Sequence, residues 1–176
     1  RDSFIPTMVV DHGRTTLWGH GLGCHMCLLR PKSRGEVTLK SSDPFEDPDI
    51  DPKFLSHPDD MQDMVAGYKK MMMIMNKDSF AKYTANHTMR PIDIKDDSDI
   101  EQAIREEADT VYHPVGTCKM GSDEMSVVNS ELKVHGIDGL RVVDASIMPT
   151  LIGGNTNAPT IMIGEKASDM ILGDWA

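Results

Sequence analysis

The sequence predicts an α+β fold, with a mostly antiparallel sheet and helices packed on one face of it. Segments with the apolar alternation of strands are grouped before residue 41 and again after residue 126, apart from segments with helical spacing. Because strands and helices occupy separate stretches instead of alternating regularly, a parallel α/β arrangement is disfavoured. The chain has 176 residues, of which 39% are hydrophobic, so it is long enough to bury a sizeable core.

The first predicted elements are two short strands, over residues 25–31 and 35–40. The segment Pro31–Gly35 between them contains proline, serine and glycine, which are typical turn residues, so a hairpin is predicted there. Within Glu36–Lys40, polar and apolar residues alternate as in a half-exposed strand. Acidic residues and prolines follow in Asp43–Asp51, which predicts a surface loop.

Two helices are predicted in the middle of the chain. Ser56–Asp59 combines a capping hydroxyl, an early proline and an acid of the first turn, which favours a helix start. The second helix begins with a capping box, Ser98-x-x-Glu101. Apolar residues recur at helical spacing in each, at Met61, Met64, Val65, Tyr68, Met72 and Met75 and then at Ile100, Ala103, Ile104 and Ala108.

The last third of the chain predicts two more strands and a final helix. The strands are expected over Val127–Val134 and Gly139–Val143, joined by a glycine-rich turn. The helix is expected from about Ala158, with Pro159 in its first turn. Proline is tolerated there because the N–H groups of the first turn have no partner within the helix. One side of this helix is apolar and comprises Ile163, Ala167, Met170 and Ile171.

Charge and composition exclude several classes of partner. The net charge is −10 and the pI is near 5.0, so neither a nucleic acid nor an anionic membrane surface is expected. No apolar run approaches the roughly eighteen residues of a membrane span, so none is predicted. The odd number of cysteines, Cys24, Cys27 and Cys118, argues against a disulfide framework. Cys24 and Cys27 have C-x-x-C spacing, but their neighbours favour buried strand cysteines over a metal or redox site.

Three sequence blocks near the C-terminus carry the functional signal. They are Tyr-His-Pro-Val-Gly-Thr-Cys-Lys-Met-Gly at residues 112–121, Arg-Val-Val-Asp-Ala-Ser-Ile-Met-Pro-Thr at 141–150 and Gly-Gly-Asn-Thr-Asn-Ala-Pro-Thr at 153–160. In this order they resemble the C-terminal signature of the glucose-methanol-choline (GMC) family of flavin-dependent alcohol oxidoreductases. The chain resembles arthropod glucose-dehydrogenase-like and choline-dehydrogenase-like members in particular. The resemblance is strongest over residues 112–172 and extends to residues 30–60.

The resemblance implies a division of the chain into two parts. Residues 1–112 would form part of a substrate-binding cap domain, and residues 113–176 a catalytic segment that contacts the flavin and completes the flavin domain. Family members carry a Gly-x-Gly-x-x-Gly motif near their N-terminus, and this sequence has none. We therefore expect the chain to be the C-terminal portion of a longer protein, with the missing N-terminal flavin domain as its partner. The apolar side of the final helix is expected to pack on that domain.

The implied chemistry is the oxidation of an alcohol. The hydride that leaves the substrate needs an acceptor that no side chain provides, and the resemblance implies FAD. Neutral imidazole suits removal of the hydroxyl proton, and the family motif gives this role to His113. The same register makes Asn155 its partner, holding the substrate oxygen, although Asn155–Asn157 also suits a plain helix N-cap. The resemblance further implies flavin contacts from Asp144, Ala145, Asn155, Thr156 and Asn157.

The expected substrate is a small-molecule alcohol or sugar, with a quinone or dioxygen as the electron acceptor. The alternative is a non-catalytic GMC-like binding or structural module that lacks a cofactor half. Asn86-His87-Thr88 is an N-glycosylation acceptor in a polar stretch, which favours a secreted or lumenal protein.

Overall fold

A computed structural model describes residues 24–82 and 94–174 of the chain. Its strands and helices are, in chain order, β1 (Glu36–Thr38), β2 (Asp49–Asp51), α1 (Pro58–Met75), α2 (Asp78–Ala81), α3 (Asp97–Glu107) and α4 (Asn157–Asp174). Helices together with a small antiparallel strand pair confirm the α+β prediction. None of the helices in the described ranges is long and apolar enough to cross a membrane. The glycosylation acceptor at Asn86 lies outside these ranges.

Contacts group the chain into two compact units. The first comprises Arg1–Leu28 and His57–Asp109, and the second comprises Leu29–Ser56 and Thr110–Ala176. These units are defined by packing alone. The functional division between residues 112 and 113 therefore stays a prediction.

The first unit is built on α1 and α3, whose predicted apolar faces are confirmed as its core. Met61 and Val65 of α1 are buried, as are Ile100, Ala103 and Ile104 of α3. The Lys69 ammonium of α1 forms an ion pair with the Asp97 carboxylate of α3 at 2.5 Å, on the exposed side.

Both helix caps in this unit differ from the predicted ones. The N-cap of α1 is His57, whose Nδ1 accepts from the Asp59 N–H at 3.2 Å, so the predicted Ser56 hydroxyl cap is wrong. At α3, the Asp96 carboxylate accepts from the N–H groups of Ser98 and Asp99 at 2.9 and 3.2 Å. The predicted capping box is wrong because a stronger acceptor stands two residues before Ser98, which starts the helix earlier.

The strand pair also differs from the predicted hairpin. β1 pairs antiparallel with β2, in the register Glu36 with Asp51, Val37 with Ile50 and Thr38 with Asp49. Residues 25–31 form no strand. The predicted hairpin is wrong because Arg34 closes the turn on itself, donating to the carbonyls of Pro31 and Ser33 at 2.7 and 2.9 Å. The predicted acidic loop is therefore wrong over its last three residues, because β2 begins at Asp49.

The second unit has its core between the C-terminal segments. The core residues are Val128, Leu132, Ile147, Met148, Ile163 and Ala167. The predicted strands Val127–Val134 and Gly139–Val143 are wrong, since only isolated bridges such as Lys133 with Arg141 form in the described chain. The physical reason is the left-handed backbone at Leu132, with φ of 64°, which breaks the extended run before a ladder can form.

Helix α4 contributes Ile163 and Ala167 to this core, where they are 7% and 0% exposed. The prediction that this side packs on a separate flavin domain is therefore wrong for these two residues. Met170 packs against the same core, whereas Ile171 remains 37% exposed. The C-terminal helix thus completes a core made by its own chain.

An ion-pair cluster holds the end of α4. The Asp174 carboxylate accepts from the Arg141 guanidinium at 2.8 Å and pairs with the Lys133 ammonium at 3.2 Å. Hydrogen bonds from Arg141 and then Lys133 lower the pKa of Asp174. Arg141 also donates to the Glu131 carbonyl at 3.0 Å, so the cluster ties the helix end to the bridged segment before the second motif block.

The cysteines are all free. Cys24 is exposed, and Cys27 and Cys118 are half-buried. The prediction of two buried strand cysteines is therefore wrong for Cys24 and Cys27, because the chain passes from one unit to the other just after them without forming a strand. Among the described residues, no group of three or more histidines, cysteines or acids is arranged to hold a metal ion.

Candidate active site

The first motif block folds as an irregular segment that presents His113 to solvent. Tyr112, directly before it, has a left-handed backbone with φ of 60°, and its N–H donates to the Thr110 hydroxyl at 3.0 Å. Such a backbone is unfavourable for a tyrosine and fixes the direction of the chain entering His113. Within residues 24–82 and 94–174, the His113 ring makes no hydrogen bond. Its nitrogens are therefore free to act on a ligand.

Backbone hydrogen bonds join the first block to the second. The N–H of Cys118 donates to the Ser146 carbonyl at 3.1 Å, and that of Met120 to the Ile147 carbonyl at 2.8 Å. Gly116 allows this approach, because it has φ of 95° and a Cβ at this position would lie 3.4 Å from the Met148 carbonyl oxygen. The two blocks are thus laid side by side by their main chains.

The Asp144 carboxylate caps the short turn that follows it in the chain. It is exposed and accepts from the Ser146 N–H at 2.7 Å, which caps the 3₁₀ turn Ala145–Ile147. Ala145 is half-buried and packs against the core of the second unit. One Asp144 oxygen is therefore committed to the fold, and the flavin contact expected of Asp144 and Ala145 stays a prediction.

The third block leads into α4, which begins at Asn157. Thr156 is 8% exposed, and its carbonyl accepts from the Thr160 N–H at 3.0 Å and from the Thr160 hydroxyl at 2.7 Å. Asn155 and Asn157 on either side of it are exposed. The buried threonine anchors the segment, and the two flanking amides project to solvent.

A residue that the sequence patterns did not single out lies against this block. The guanidinium of Arg30 occupies the space beside Gly153, with one terminal nitrogen 2.7 Å and its central carbon 3.2 Å from where a Cβ of Gly153 would stand. Arg30 directly precedes the Pro31–Gly35 turn, but nothing in its local sequence indicates a contact so far along the chain.

One core therefore joins the first two blocks and the residues on either side of the third. Val115 and Met120 of the first block, Ile147 and Met148 of the second, and Ile163 after the third all pack in it. Exposed proton-accepting, amide and helix N-terminal N–H groups on such a frame are suited to bind a polar ligand and to move a proton. The direct pairing of His113 with Asn155 stays a prediction.

The family model for GMC oxidoreductases matches residues 31–164, which is more than half of the chain. The chain belongs to this family. It is 49% identical over 169 residues to the alcohol dehydrogenase (acceptor) of Pseudomonas putida, covering 96% of this chain and 31% of the relative. It is 45% identical over 170 residues to an oxygen-dependent choline dehydrogenase of Cronobacter sakazakii, covering 97% of this chain and 30% of the relative.

A GMC flavoprotein of known structure has the same fold. It is the formate oxidase of Aspergillus oryzae RIB40, in which the effect of a mutation on FAD modification was studied. The match has a TM-score of 0.78 and 32% identity, and covers 84% of this chain and 26% of the oxidase. The choline-dehydrogenase-like resemblance is confirmed, and the arthropod glucose-dehydrogenase-like one stays a prediction. The chain spans about a third of the curated relatives that it matches.

Proposed function

We propose that the full-length protein is an FAD-dependent oxidoreductase that converts an alcohol to a carbonyl compound, with His113 as base and Asn155 as the residue that holds the substrate oxygen. The observation that carries this proposal is the packing on one core of the first two motif blocks and of Ile152 and Ile163 on either side of the third, with the His113 and Asn155 side chains exposed. Membership of the GMC family and the likeness to alcohol and choline dehydrogenases support the same chemistry.

His113 is assigned the proton transfer. A base must be free of competing hydrogen bonds, and the His113 ring has none to any residue in the described ranges. A neutral ring nitrogen accepts the hydroxyl proton of the substrate, which leaves an alkoxide, and the alkoxide becomes the neutral carbonyl compound when its carbon loses the hydride. The left-handed Tyr112 before it and Pro114 after it restrict the backbone of His113, which favours one direction of the imidazole.

Asn155 is assigned the substrate oxygen. Its side-chain amide has two N–H donors and cannot titrate at neutral pH, so it stabilises the charge that develops on the oxygen without competing for the proton. The buried Thr156 holds the backbone next to it. The positive end of the α4 dipole lies in the same segment and adds to this stabilisation.

The donor set at the start of α4 fits FAD. FAD, when bound, supplies the acceptor for the substrate hydride. The exposed amides of Asn155 and Asn157 and the N–H groups of the first helical turn match a ring edge rich in oxygen and nitrogen acceptors. We assign the contact of Thr156 to its backbone N–H, because its carbonyl already accepts from Thr160. Because the Asp144 carboxylate is engaged with Ser146, we assign the cofactor contact of Asp144 and Ala145 to their main chain.

Replacing His113 with alanine in the full-length protein tests the assignment. Loss of the base should slow alcohol oxidation roughly 100- to 10,000-fold, measured as flavin reduction in single-turnover absorbance traces. His25→Ala is the matched control, because His25 is also exposed and has no assigned role. A change of less than tenfold in His113→Ala would remove this residue from the mechanism.

The substrate and the electron acceptor are tested together. Small alcohols, choline and sugars are offered to the full-length protein in air, with peroxide measured, and without oxygen, with a quinone dye measured. We expect at least one alcohol to reduce the flavin. A protein that holds FAD but is reduced by none of them would favour the non-catalytic module instead.

A further inference from the structure

Arg30 makes an unusual contact for an exposed arginine. Its guanidinium lies where the side chain of residue 153 would project, with three of its atoms 2.7, 3.2 and 3.5 Å from an ideal Cβ at Gly153. A methyl group at position 153 would therefore displace the guanidinium. Gly154, the next residue, has open space at the same position. Of the two neighbouring glycines in the loop that carries Asn155, Gly153 is therefore the one that lies against Arg30.

The positive charge of Arg30 forms no ion pair in the described parts of the chain. No carboxylate there pairs with it, and its guanidinium donates no hydrogen bond. By contrast, Arg34 donates to two carbonyls of its own turn and Arg141 pairs with Asp174. An unpaired cation in a chain of net charge −10 thus lies against the residue two positions before Asn155. Its planar, weakly hydrated guanidinium is suited to pack flat against a peptide segment without a side chain.

We propose that Arg30 is a positioning residue, which holds the Gly153–Asn155 loop so that the Asn155 amide points at the substrate oxygen. This inference rests on the proposed function, since it assigns to Arg30 a role that acts through Asn155. Its positive charge has the same sign as the α4 N-terminus and favours the alkoxide that forms when the hydroxyl proton leaves. Arg30 itself touches the loop and not the reacting atoms.

Substitution of Arg30 in the full-length protein tests this role. Arg30→Met keeps most of the length of the side chain but removes the planar cation, and Arg30→Lys keeps only the charge. A misplaced Asn155 loses contact in the transition state, so kcat should fall about tenfold in Arg30→Met with less than about a threefold change in KM. Arg30→Lys should recover less than half of this loss. Arg105→Met, an exposed arginine of α3, is the matched control and should keep the original rate.

A double-mutant cycle separates positioning from a merely structural effect. If Arg30 acts through Asn155, Arg30→Met should cost less than about twofold in a protein that already carries Asn155→Ala. Gly153→Ala, with Arg30 intact, should give the same fall in kcat, because its methyl group displaces the guanidinium. An equal, additive loss in the Asn155→Ala background would overturn the proposal, as would an unchanged kcat in Arg30→Met.

Hydrogen exchange gives a readout that does not depend on activity. In Arg30→Met, the Thr160 amide, which donates to the Thr156 carbonyl next to the loop, should exchange at least about fivefold faster, and Arg105→Met should leave it unchanged. Unchanged exchange would overturn the role of Arg30 even in a protein with no detectable substrate. If Asn155→Ala kept the original rate of alcohol oxidation while Arg30→Met exchanged faster, the proposed function would be contradicted. The contact by which Arg30 holds the Gly153–Asn155 loop would still be supported.

Discussion

The backbone at Gly116 allows the first motif block to approach the second. Its φ of 95° is strained for any residue with a side chain, and an ideal Cβ there would be in van der Waals contact with the Met148 carbonyl oxygen at 3.4 Å. We expect Gly116→Ala to lower the free energy of unfolding by about 1–3 kcal/mol, measured by urea denaturation. Gly164→Ala is the matched control, because a Cβ there meets open space within α4 and should be neutral or slightly stabilising. Equal effects of the two changes would contradict this account.

Asp123 makes the turn after the first motif block sensitive to acid. Hydrogen bonds from Lys119 and then Ser126 lower its pKa to about 2. Since the folded value lies below the unfolded value of about 3.8, the stabilisation is complete above that pH and is lost as the pH falls towards 2. Asp123→Asn should therefore reduce the fall in thermal midpoint between pH 5 and pH 2.5. Glu124→Gln should leave that fall as it is, because the Glu124 carboxylate pairs with no described residue.

The site residues differ in how far the sequence predicts them. His113 and Asn155 stand in sequence blocks that resemble the GMC signature, so the sequence predicts a role for each, and these roles stay predictions. Arg30 carries no such signal, because its contact with Gly153 joins distant parts of the chain and leaves no periodic or local pattern. The motif also says nothing of the Asp144 carboxylate, whose partner is the N–H two residues on.

At the scale of elements, α4 presents two isoleucines in opposite environments. Ile163 is 7% exposed in the core, and Ile161, two residues earlier, is 57% exposed. We expect Ile163→Ala to lower the free energy of unfolding by about 2–5 kcal/mol, because it leaves a cavity beside Ile147 and Met148. Ile161→Ala is the same chemical change and should alter it by less than about 0.5 kcal/mol. Urea denaturation measures both variants. A comparable loss of unfolding free energy in the two would contradict the assignment of Ile163 to the buried face of α4.

The sequence predicts the helices better than the strands, and the reason is physical. α1 and α3 combine a long apolar period with acids and capping groups at their starts, so the local signal and the packing agree. β1 and β2 have three residues each, which is too short for an alternating pattern to fix a partner. The turn residues of Pro31–Gly35 suit a hairpin equally well, and pairing across a longer loop leaves no trace in the local sequence.

At the scale of the whole molecule, the sequence predicts that these 176 residues do not hold a dinucleotide tightly by themselves. A tight FAD site needs a glycine-rich turn at a helix N-terminus for the pyrophosphate, and the sequence contains no Gly-x-Gly-x-x-Gly. We expect residues 1–176 alone neither to retain FAD through gel filtration nor to oxidise an alcohol. The flavin absorbance of the eluted protein measures this. Near-stoichiometric flavin together with turnover would show that the nucleotide site lies within these residues.

The shared core couples the stability of the three motif blocks, so that a destabilising change near one affects the others. Val128 is fully buried, bridges to both Met120 and Val134, and belongs to the same cluster as Ile147 and the α4 residues. A smaller side chain there would loosen all three blocks at once, although it lies outside every one of them. An activity screen of random variants would therefore score Val128 alongside His113. A parallel measurement of folding would separate the residue to which we assign the proton transfer from the one that stabilises the packing of the motif blocks.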